Sequence, residues 1–489
     1  MDDSDVPYQR FKKQVAQSIL VLGVRRILYQ VILTSANIVL ARVLNPEIFG
    51  TFAIISFFVL NLGIFTNLGL QQALIQSKDE PDAKDIQVFF TVLVSTSILF
   101  VLAMYFLAPI IANFYGGKLG PESIFWLRVY AVYILFGNIA SVSMTLLDKS
   151  LNYVKLTMAE LATLGITQVL IIILAINGYG LASLILGNLI GSISGIIIYY
   201  GLSPWSFGIH FSFSRLKRFL AFGLNYQFGT LTGAFNAAVI PLFVGTVSGP
   251  AAVGFINMAG GIRQAGLAPT EMISKLAFTA GARIQNQTQT LKKLTERMFQ
   301  FAAIFSFPIL ALTGALVPQF IQIVLSKTWL PMIITLYLSL FQGVFILYST
   351  ILIQVLLALG LAKEVRNISL LWSFMQWILT VPLVVFFGFN GAVMAGLIVS
   401  ATFFIPLSVL HNKVKINIWS PTLPYLFFAI VAASIVYGLG KLFEIHFFWE
   451  LLLMGFVGLF VYASLLYLFR GQYLLNEFKI YKENFFSKT

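Results

Sequence analysis

Residues that usually carry chemistry are scarce in this chain. It contains no cysteine and only three histidines among 489 residues, and these histidines (His210, His411 and His446) lie far apart in the sequence. The lack of cysteine excludes disulfide, thiolate and iron–sulfur chemistry, and scattered histidines do not predict a metal site. The pattern G-x-x-x-x-G-K-[ST] is absent too, which excludes a P-loop for ATP hydrolysis. We therefore expect neither a metal ion nor a cofactor.

Charge is scarce as well, whereas apolar residues dominate. Hydrophobic residues make up 59% of the chain, charged residues only 10%, and the mean hydropathy is +0.90. This composition is typical of a polytopic membrane protein. The polar connections are short, and a membrane enzyme would usually need a sizeable loop to hold its active site. The sequence therefore favours a transporter over an enzyme.

Fourteen apolar runs are long enough to cross a bilayer, which takes about 20 residues. The runs span residues 15–41, 48–75, 86–113, 123–147, 154–177, 180–201, 218–247, 250–282, 297–325, 331–359, 365–388, 390–411, 422–442 and 449–470. No small-residue cleavage site follows the first fifteen residues, so the first run is expected to be a retained helix and not a signal peptide. Because the number of crossings is even, both termini are expected on the same side.

The basic residues indicate which side that is. Of the 31 Lys and Arg residues, 22 fall in tails, connections or the adjoining ends of runs on the side of the termini, four in the same places on the opposite side, and five deeper within the runs. Cytoplasmic loops are enriched in Lys and Arg. Both termini are therefore predicted in the cytoplasm, and the net charge of +13 reflects topology rather than binding to nucleic acid.

Short motifs recur about 205 to 210 residues apart. Asn-Pro-Glu-Ile-Phe-Gly at 45–50 matches Gly-Pro-Ala-Ala-Val-Gly at 249–254, and Asn-Gly-Tyr-Gly at 177–180 matches Gly-Phe-Asn-Gly at 388–391. This repeat predicts two parallel six-helix lobes with a binding site between them near the middle of the membrane. The predicted division is an N-lobe at 1–205, a C-lobe at 206–411, and a region at 412–489 with two further helices and a cytoplasmic tail.

Two adjacent arginines, Arg25 and Arg26, lie within the first apolar run. A guanidinium at membrane depth is costly, so it normally faces a protein interior or a water-filled cavity. Positions four and eleven residues after Arg26 share its helix face and carry Gln30 and Asn37. Arg25 points about 100° away. We therefore predict that Arg26 faces an anion-binding cavity, whereas the direction of Arg25 stays open.

The seventh and eighth runs carry further polar candidates. In the seventh run, positions with the spacing found in the first run carry Asn225, Thr232 and Asn236. They are candidates for binding a polar substrate, and the alternative is that they hold helices together, as polar residues often do in membranes. In the eighth run, Arg263 is a second cation candidate. Glu271 is a candidate coupling site for a proton or cation, or else an ion-pair partner of Lys275 four residues later.

Two segments carry a resemblance to a known family. Leu-Ala-Arg-Val-Leu-Asn-Pro-Glu-Ile-Phe-Gly at 40–50, followed by Asn-Leu-Gly-Leu-Gln-Gln-Ala-Leu-Ile at 67–75, resembles the first hairpin of polysaccharide transporters of the Wzx type. The segment 254–285 resembles their eighth helix. These flippases belong with MurJ-type lipid II flippases and MATE exporters to the MOP exporter superfamily.

The resemblance implies an all-α, V-shaped membrane protein with two six-helix lobes around a cationic cavity and two helices at the C-terminal end. It implies alternating access that moves an undecaprenyl-pyrophosphate-linked oligosaccharide across the inner membrane. Arg26 and Arg263, then Arg25, would bind the pyrophosphate, because Arg binds phosphate bidentately and keeps its charge. The candidates facing the sugar are Gln30, Asn37, Asn225, Thr232 and Asn236. In MurJ-type relatives the last two helices form a groove for the lipid tail.

Other functions stay open from the sequence. A cation-coupled exporter of drugs or small metabolites of the MATE type would have the same fold, as would a MurJ-type lipid II flippase. A scaffold without transport activity that recruits a synthesis complex is a third alternative. The expected partners are the lipid-linked glycan, membrane lipids and, for a flippase, the polysaccharide polymerase or export machinery, and no nucleic acid.

Overall fold

The computed structural model describes residues 25–77 and 79–486; within these ranges, the side chains of residues 221, 222, 224–226, 228–232 and 472–486 lie outside the description. The described residues form helices and short connections, with no β-strand among them. The first predicted run begins outside the described residues, and its helix, α1, is described over Arg25–Val43. The N-terminal segment before it is not described.

Seventeen further α-helices follow α1 in the described part of the chain. Those up to Ser248 are α2 Pro46–Asn67, α3 Leu70–Gln76, α4 Ala83–Phe114, α5 Ser123–Lys149, α6 Tyr153–Ile176, α7 Leu181–Leu202, α8 Phe213–Ala238 and α9 Gly245–Ser248. The remainder are α10 Pro250–Arg283, α11 Thr288–Ala315, α12 Val317–Phe320, α13 Ile333–Ala358, α14 Ala362–Phe387, α15 Asn390–Ala401, α16 Phe404–His411, α17 Leu423–Leu442 and α18 Phe448–Phe486.

Twelve helical segments within the described ranges are long and apolar enough to cross a membrane. By length and composition they fit a multi-pass membrane protein. They coincide with twelve of the fourteen predicted runs. The run at 250–282 forms α10, a long helix that is less apolar because it carries Gly, Gln and charged residues. The run at 218–247 forms α8 and the turn after it, and its described apolar part spans Gly233–Ser248. The fourteen crossings therefore stay a prediction.

The chain divides into two compact units. The first comprises Met1–Met258 and Gln376–Ala392, and the second comprises Ala259–Met375 and Val393–Thr489. This grouping assigns most of α8 to α10, up to Met258, to the first unit, whereas the sequence repeat assigns residues 206–258 to a C-lobe. The compact units reflect which residues lie close together, whereas the lobes reflect the sequence repeat. The lobe boundaries therefore stay a prediction.

In the first unit the repeated motifs Asn45–Gly50 and Gly249–Gly254 pack against each other. A Cβ on Gly50 would overlap the carbonyl oxygen of Pro250, and a Cβ on Gly254 would overlap that of Pro46. The two glycines are 204 residues apart, as are the two prolines, so the contact is reciprocal. Only glycine permits such a close approach of two helix starts. We call this contact the glycine seam.

The helix widens into a π-helical turn after α8, at a proline. Residues Val239–Val244 form a wide, π-helical turn that contains Pro241. Proline lacks the N–H that continues an α-helix, and wide turns of this kind relieve the misfit. The carbonyl of Pro241 accepts a hydrogen bond from the buried Tyr115 hydroxyl at 3.0 Å. The end of α4 is thereby attached to the wide turn after α8.

In the second unit, α11 packs against α13 and α17, and α17 packs against α18. Buried polar side chains tie these helices together. Gln300 of α11 donates to the Tyr425 hydroxyl at 2.7 Å, and the Tyr348 hydroxyl of α13 bonds to Thr422 at 2.8 Å. Each bond satisfies polar groups that would be costly if left unpaired away from water. The start of α17 is thus fixed to two neighbouring helices.

Candidate functional site

Arg25 lies in an ion pair with Glu160 of α6. Its Nη2 donates to Glu160 Oε1 at 2.8 Å, and its Nε contacts the other carboxylate oxygen. The side chains are only 28% and 16% exposed, so the pair lies largely within the helix packing. The partner of Glu160 is thus the arginine whose direction the sequence left open, and the pair holds α1 against α6.

The polar stripe of α1 is present in the structure. Arg26, Gln30 and Asn37 are each partly buried. Gln30 donates from its Nε2 to Thr34 Oγ1 at 3.1 Å, one turn along the same helix. The carboxamide oxygen of Gln30 can in addition accept a hydrogen bond. The stripe therefore places a cation, Arg26, and two amides, Gln30 and Asn37, along one helix.

Of the three candidates in α8, only Asn236 has a side chain within the described part of the structure. Asn225 and Thr232 lie in the helix, but their side chains are outside the described part of the structure. Asn236 is exposed near the end of α8, just before the wide turn at Pro241. The residues after it line a small cavity of about 190 Å³ together with residues of α2 and α10. Its polar lining includes Asn61 and Asn257.

Arg263 of α10 is held by α13 in the second unit. Its Nη1 donates to Gln342 Oε1, and its stem packs where Gly343 leaves room, since a Cβ there would lie 3.3 Å from Arg263 Cγ. The Nε of Arg263 is buried and has no hydrogen-bond partner among the described residues. Buried donors are nearly always satisfied by protein, water or a ligand. Arg263 is thus a positioned guanidinium with donor capacity left for an anion.

Glu271 has a partner that the sequence did not suggest. Gln264, two turns earlier on α10, donates from Nε2 to Glu271 Oε1. Lys275, the predicted ion-pair partner, is exposed. The carboxylate is partly buried and lies on the same helix as Arg263. Whether it couples transport to a cation stays a prediction.

Sequence reasoning missed an ion-pair cluster at the start of α4. Arg215 contacts Asp82 at 2.7 Å and Asp85 at 2.8 Å, and Arg218 contacts Asp85 at 2.9 Å. Asp82 also caps α4 by accepting from the backbone N–H of Asp85. The Arg215 hydrogen bond, aided by this cap, holds the pKa of Asp82 below its usual value. The spacing of two acids before an apolar run was the available signal.

A buried polar network in the first unit was missed as well. Asn138 of α5 donates to Thr66 Oγ1 at 2.8 Å and to Ser97 Oγ at 2.7 Å. Thr96 donates to the carbonyl of Thr66 at 2.7 Å. The network joins α2, α4 and α5, and its satisfied groups fit a role in helix packing. No group of three metal-ligating side chains occurs within the described ranges.

Comparison with known families decides the kind of protein. The family described as "Polysaccharide biosynthesis protein" matches residues 39–334, which include the glycine seam, α8, and Arg263. The chain belongs to this family. The match covers more than half of the chain, and it confirms the membership that the hairpin at 40–50 and 67–75 suggested.

Three curated relatives show the range of this family. The chain shares 23% identity over 275 residues with the teichuronic acid biosynthesis protein TuaB of Bacillus subtilis (strain 168), 55% of each chain. It shares 24% over 301 residues with the lipopolysaccharide biosynthesis protein WzxC of Escherichia coli (strain K12), 60% of this chain and 59% of that protein. It shares 25% over 189 residues with the succinoglycan biosynthesis transport protein ExoT of Rhizobium meliloti (strain 1021), 38% and 37%.

The chain thus matches between 37% and 59% of the length of these relatives. Among solved structures, the lipid II flippase MurJ in an inward closed conformation superposes with a TM-score of 0.74 over 94% of this chain and 100% of MurJ, at 17% identity. An inward-facing MATE transporter of the MOP superfamily superposes with 0.60 over 88% and 100%, at 13% identity. The fold is therefore that of MurJ and MATE proteins. The matched proteins whose names state an activity are transport proteins or flippases, the class that the sequence favoured.

Proposed function

We propose that this protein is a flippase that moves a polyprenyl-pyrophosphate-linked oligosaccharide, a repeat unit for polysaccharide synthesis, across the bacterial inner membrane by alternating access. Support comes from membership of the polysaccharide biosynthesis family and from the MurJ-like fold. In this proposal the charged head group passes through the protein, and the polyprenyl tail stays in the bilayer. Partners would be the lipid-linked glycan, membrane lipids and the polymerase or export machinery.

One observation carries the substrate class. Arg263 has a guanidinium that Gln342 already orients, and its buried Nε has no hydrogen-bond partner among the described residues. A diphosphate offers several acceptor oxygens that a guanidinium can bind with two parallel hydrogen bonds. A cationic drug would instead be repelled by the charge of Arg263. The site therefore fits an anionic head group better than the cargo of a cation-exporting relative.

The remaining candidates take roles around this contact. Arg26 would be the second cation for the pyrophosphate, and Arg25 contributes its charge next to it while paired to Glu160. The sugar would contact amides and hydroxyls, for which the candidates are Gln30, Asn37, Asn225, Thr232 and Asn236. Glu271 is the candidate for coupling to a proton or cation.

The proposed architecture has fourteen membrane crossings. It counts α8 with its wide turn and α10 as crossings seven and eight, gives two pseudo-symmetric six-helix lobes at 1–205 and 206–411, and adds α17 and α18 as two C-terminal helices. Both termini lie in the cytoplasm. The polar residues that make α8 and α10 less apolar are the ones expected to face a water-filled cavity.

The test is the lipid-linked intermediate in cells. In a strain that lacks this protein, mass spectrometry of lipid extracts should show one polyprenyl-pyrophosphate glycan accumulating on the cytoplasmic face. A plasmid with the wild-type sequence should remove it, whereas Arg263→Ala should leave at least about tenfold more, because a charged hydrogen bond contributes on the order of 1.5–3 kcal/mol.

Arg128→Ala is the matched control. Arg128 lies within an apolar helix too, but its guanidinium covers the Tyr105 ring at 3.9 Å and its Nε donates to the Tyr105 carbonyl. This variant should therefore complement like the wild type. Absence of any accumulated glycolipid in the deletion strain contradicts the flippase, and full complementation by Arg263→Ala contradicts the role of that arginine.

A further inference from the structure

A basic pocket lies in the second unit, where the first turns of α11 meet the start of α17 and residue 470 of α18. It encloses about 570 Å³. Four cations and one acid line it: Lys292, Lys293, Arg297, Arg470 and Glu296. We call it the basic pocket. None of its residues belongs to the candidate substrate site described above.

Glu296, the acid in the basic pocket, already makes a structural hydrogen bond. Glu296 Oε1 accepts a hydrogen bond from the backbone N–H of Asn417 at 2.8 Å, which fastens the connection before α17 to α11. Its lining also includes the buried Gln300 and Tyr425 side chains, which bond to each other at 2.7 Å. The pocket thus has four cations against one acid in its lining. This charge surplus favours an anion.

One face of α11 continues from the basic pocket as an apolar surface. Each step of four residues turns about 40° round a helix, so Arg297, Phe301 and Phe305 lie within roughly 80° of one another on α11. The two phenylalanine side chains are 37% and 53% exposed. The face therefore begins with a cation and becomes an open apolar strip. Such a sequence of surfaces complements a molecule with an anionic head and an aliphatic chain.

We propose that the basic pocket binds the phosphate group of a membrane lipid, whose chain lies along Phe301 and Phe305. Basic pockets between membrane helices near the membrane surface bind phosphate head groups in this way, and each Lys or Arg near the surface contributes about 1 kcal/mol. The proposal rests on the membrane placement of α11 and not on the flippase activity. Failure of either can therefore be recognised independently of the other.

Native mass spectrometry of the purified full-length protein in detergent tests the proposal, with phosphatidylglycerol and phosphatidylcholine as competing probes. The wild type should retain phosphatidylglycerol preferentially. The double variant Lys293→Gln/Arg297→Gln should bind it roughly 25-fold more weakly, about fivefold for each charge removed. Lys293→Gln alone, at an exposed position, should show the fivefold effect even if the double variant does not fold.

The matched control is Lys363→Gln/Arg366→Gln, which removes two exposed cations from the start of α14 in the same unit. It should bind phosphatidylglycerol within twofold of the wild type. An equal loss in this control, or no preference of the wild type for phosphatidylglycerol, would overturn the proposal.

Inorganic pyrophosphate and a chain-binding variant distinguish the sources of the phosphate. A lipid ligand requires the chain contact, so Phe301→Ala/Phe305→Ala should weaken phosphatidylglycerol binding several-fold, and free pyrophosphate should bind far more weakly than the lipid. If pyrophosphate binds as tightly as phosphatidylglycerol and the phenylalanine variant behaves as the wild type, the site takes a free phosphate and the lipid assignment is wrong.

Discussion

The ion pair of Arg25 and Glu160 shows how a single contact changes the meaning of a residue. The two side chains come from α1 and α6, 135 residues apart, and form a two-point contact that is mostly buried. Two opposite charges neutralise each other where neither would be stable alone. The arginine therefore has a structural reason to be at membrane depth, whether or not it also contacts substrate.

A double-mutant comparison separates these roles. Arg25→Gln and Glu160→Gln should each lower the free energy of unfolding by about 2 kcal/mol, because each leaves one largely buried charge without its partner. The double variant should recover most of this loss. The measurement is thermal unfolding in detergent, followed by the accumulation of lipid-linked glycan in complemented cells.

The combination of readouts identifies the role of Arg25. Recovery of both stability and complementation in the double variant means that Arg25 serves mainly to hold α1 on α6. A stable double variant that still accumulates glycan assigns it to substrate binding. If the double variant loses as much stability as the two single variants together, the ion pair is not a coupled contact.

At the scale of elements, the glycine seam is the closest helix contact in the first unit for which the sequence offered a signal. The repeat matched the two motifs by spacing, and the structure shows that they pack against each other, Gly50 on Pro250 and Gly254 on Pro46. Two helix starts approach this closely only where neither carries a side chain. A substitution there acts on the distance between α2 and α10.

Gly50→Ala should lower the free energy of unfolding by about 1–3 kcal/mol, as overpacking does elsewhere, because its Cβ would meet a backbone oxygen that cannot turn aside. Gly137→Ala in α5 is the control, since no atom lies within 4 Å of its Cβ position and alanine favours a helix. Thermal unfolding in detergent compares the two. Equal tolerance of both substitutions would contradict the seam.

At the scale of the whole molecule, the open question is the path of α8 and α10. Both are long helices with polar residues, and they are the two predicted crossings that are not among the twelve long apolar segments of the described residues. If they cross, the connection between them emerges on the side opposite the termini. The absence of cysteine makes this easy to examine, because an introduced cysteine is the only thiol.

A membrane-impermeant thiol reagent should label Val247→Cys in intact spheroplasts, since residue 247 is exposed in the connection between α8 and α10. Lys217→Cys and Gln285→Cys should react only after permeabilisation, as should the control Lys363→Cys. Labelling of all four sites only after permeabilisation would mean that α8 and α10 do not cross. Labelling of Lys363→Cys in intact spheroplasts would reverse the predicted orientation.

The sequence by itself determined the class of the protein, the existence of its long helices and its family. These properties are local, because an apolar run of sufficient length must be a helix in a membrane, where each backbone polar group needs a partner within the segment. The predicted runs accordingly agree with the helices to within a few residues at most ends. The candidate cations Arg26 and Arg263 could also be named, since charge at membrane depth stands out in any apolar run.

Only the tertiary structure decided which residues meet. The partners Glu160 of Arg25 and Gln342 of Arg263, and the ion pairs of Arg215 with Asp82 and Asp85, lie on other helices that no periodicity connects. The basic pocket likewise combines positions near 295, 420 and 470. A hydropathy pattern records where a helix is apolar, but the partner of a polar side chain depends on which helices become neighbours when the chain packs.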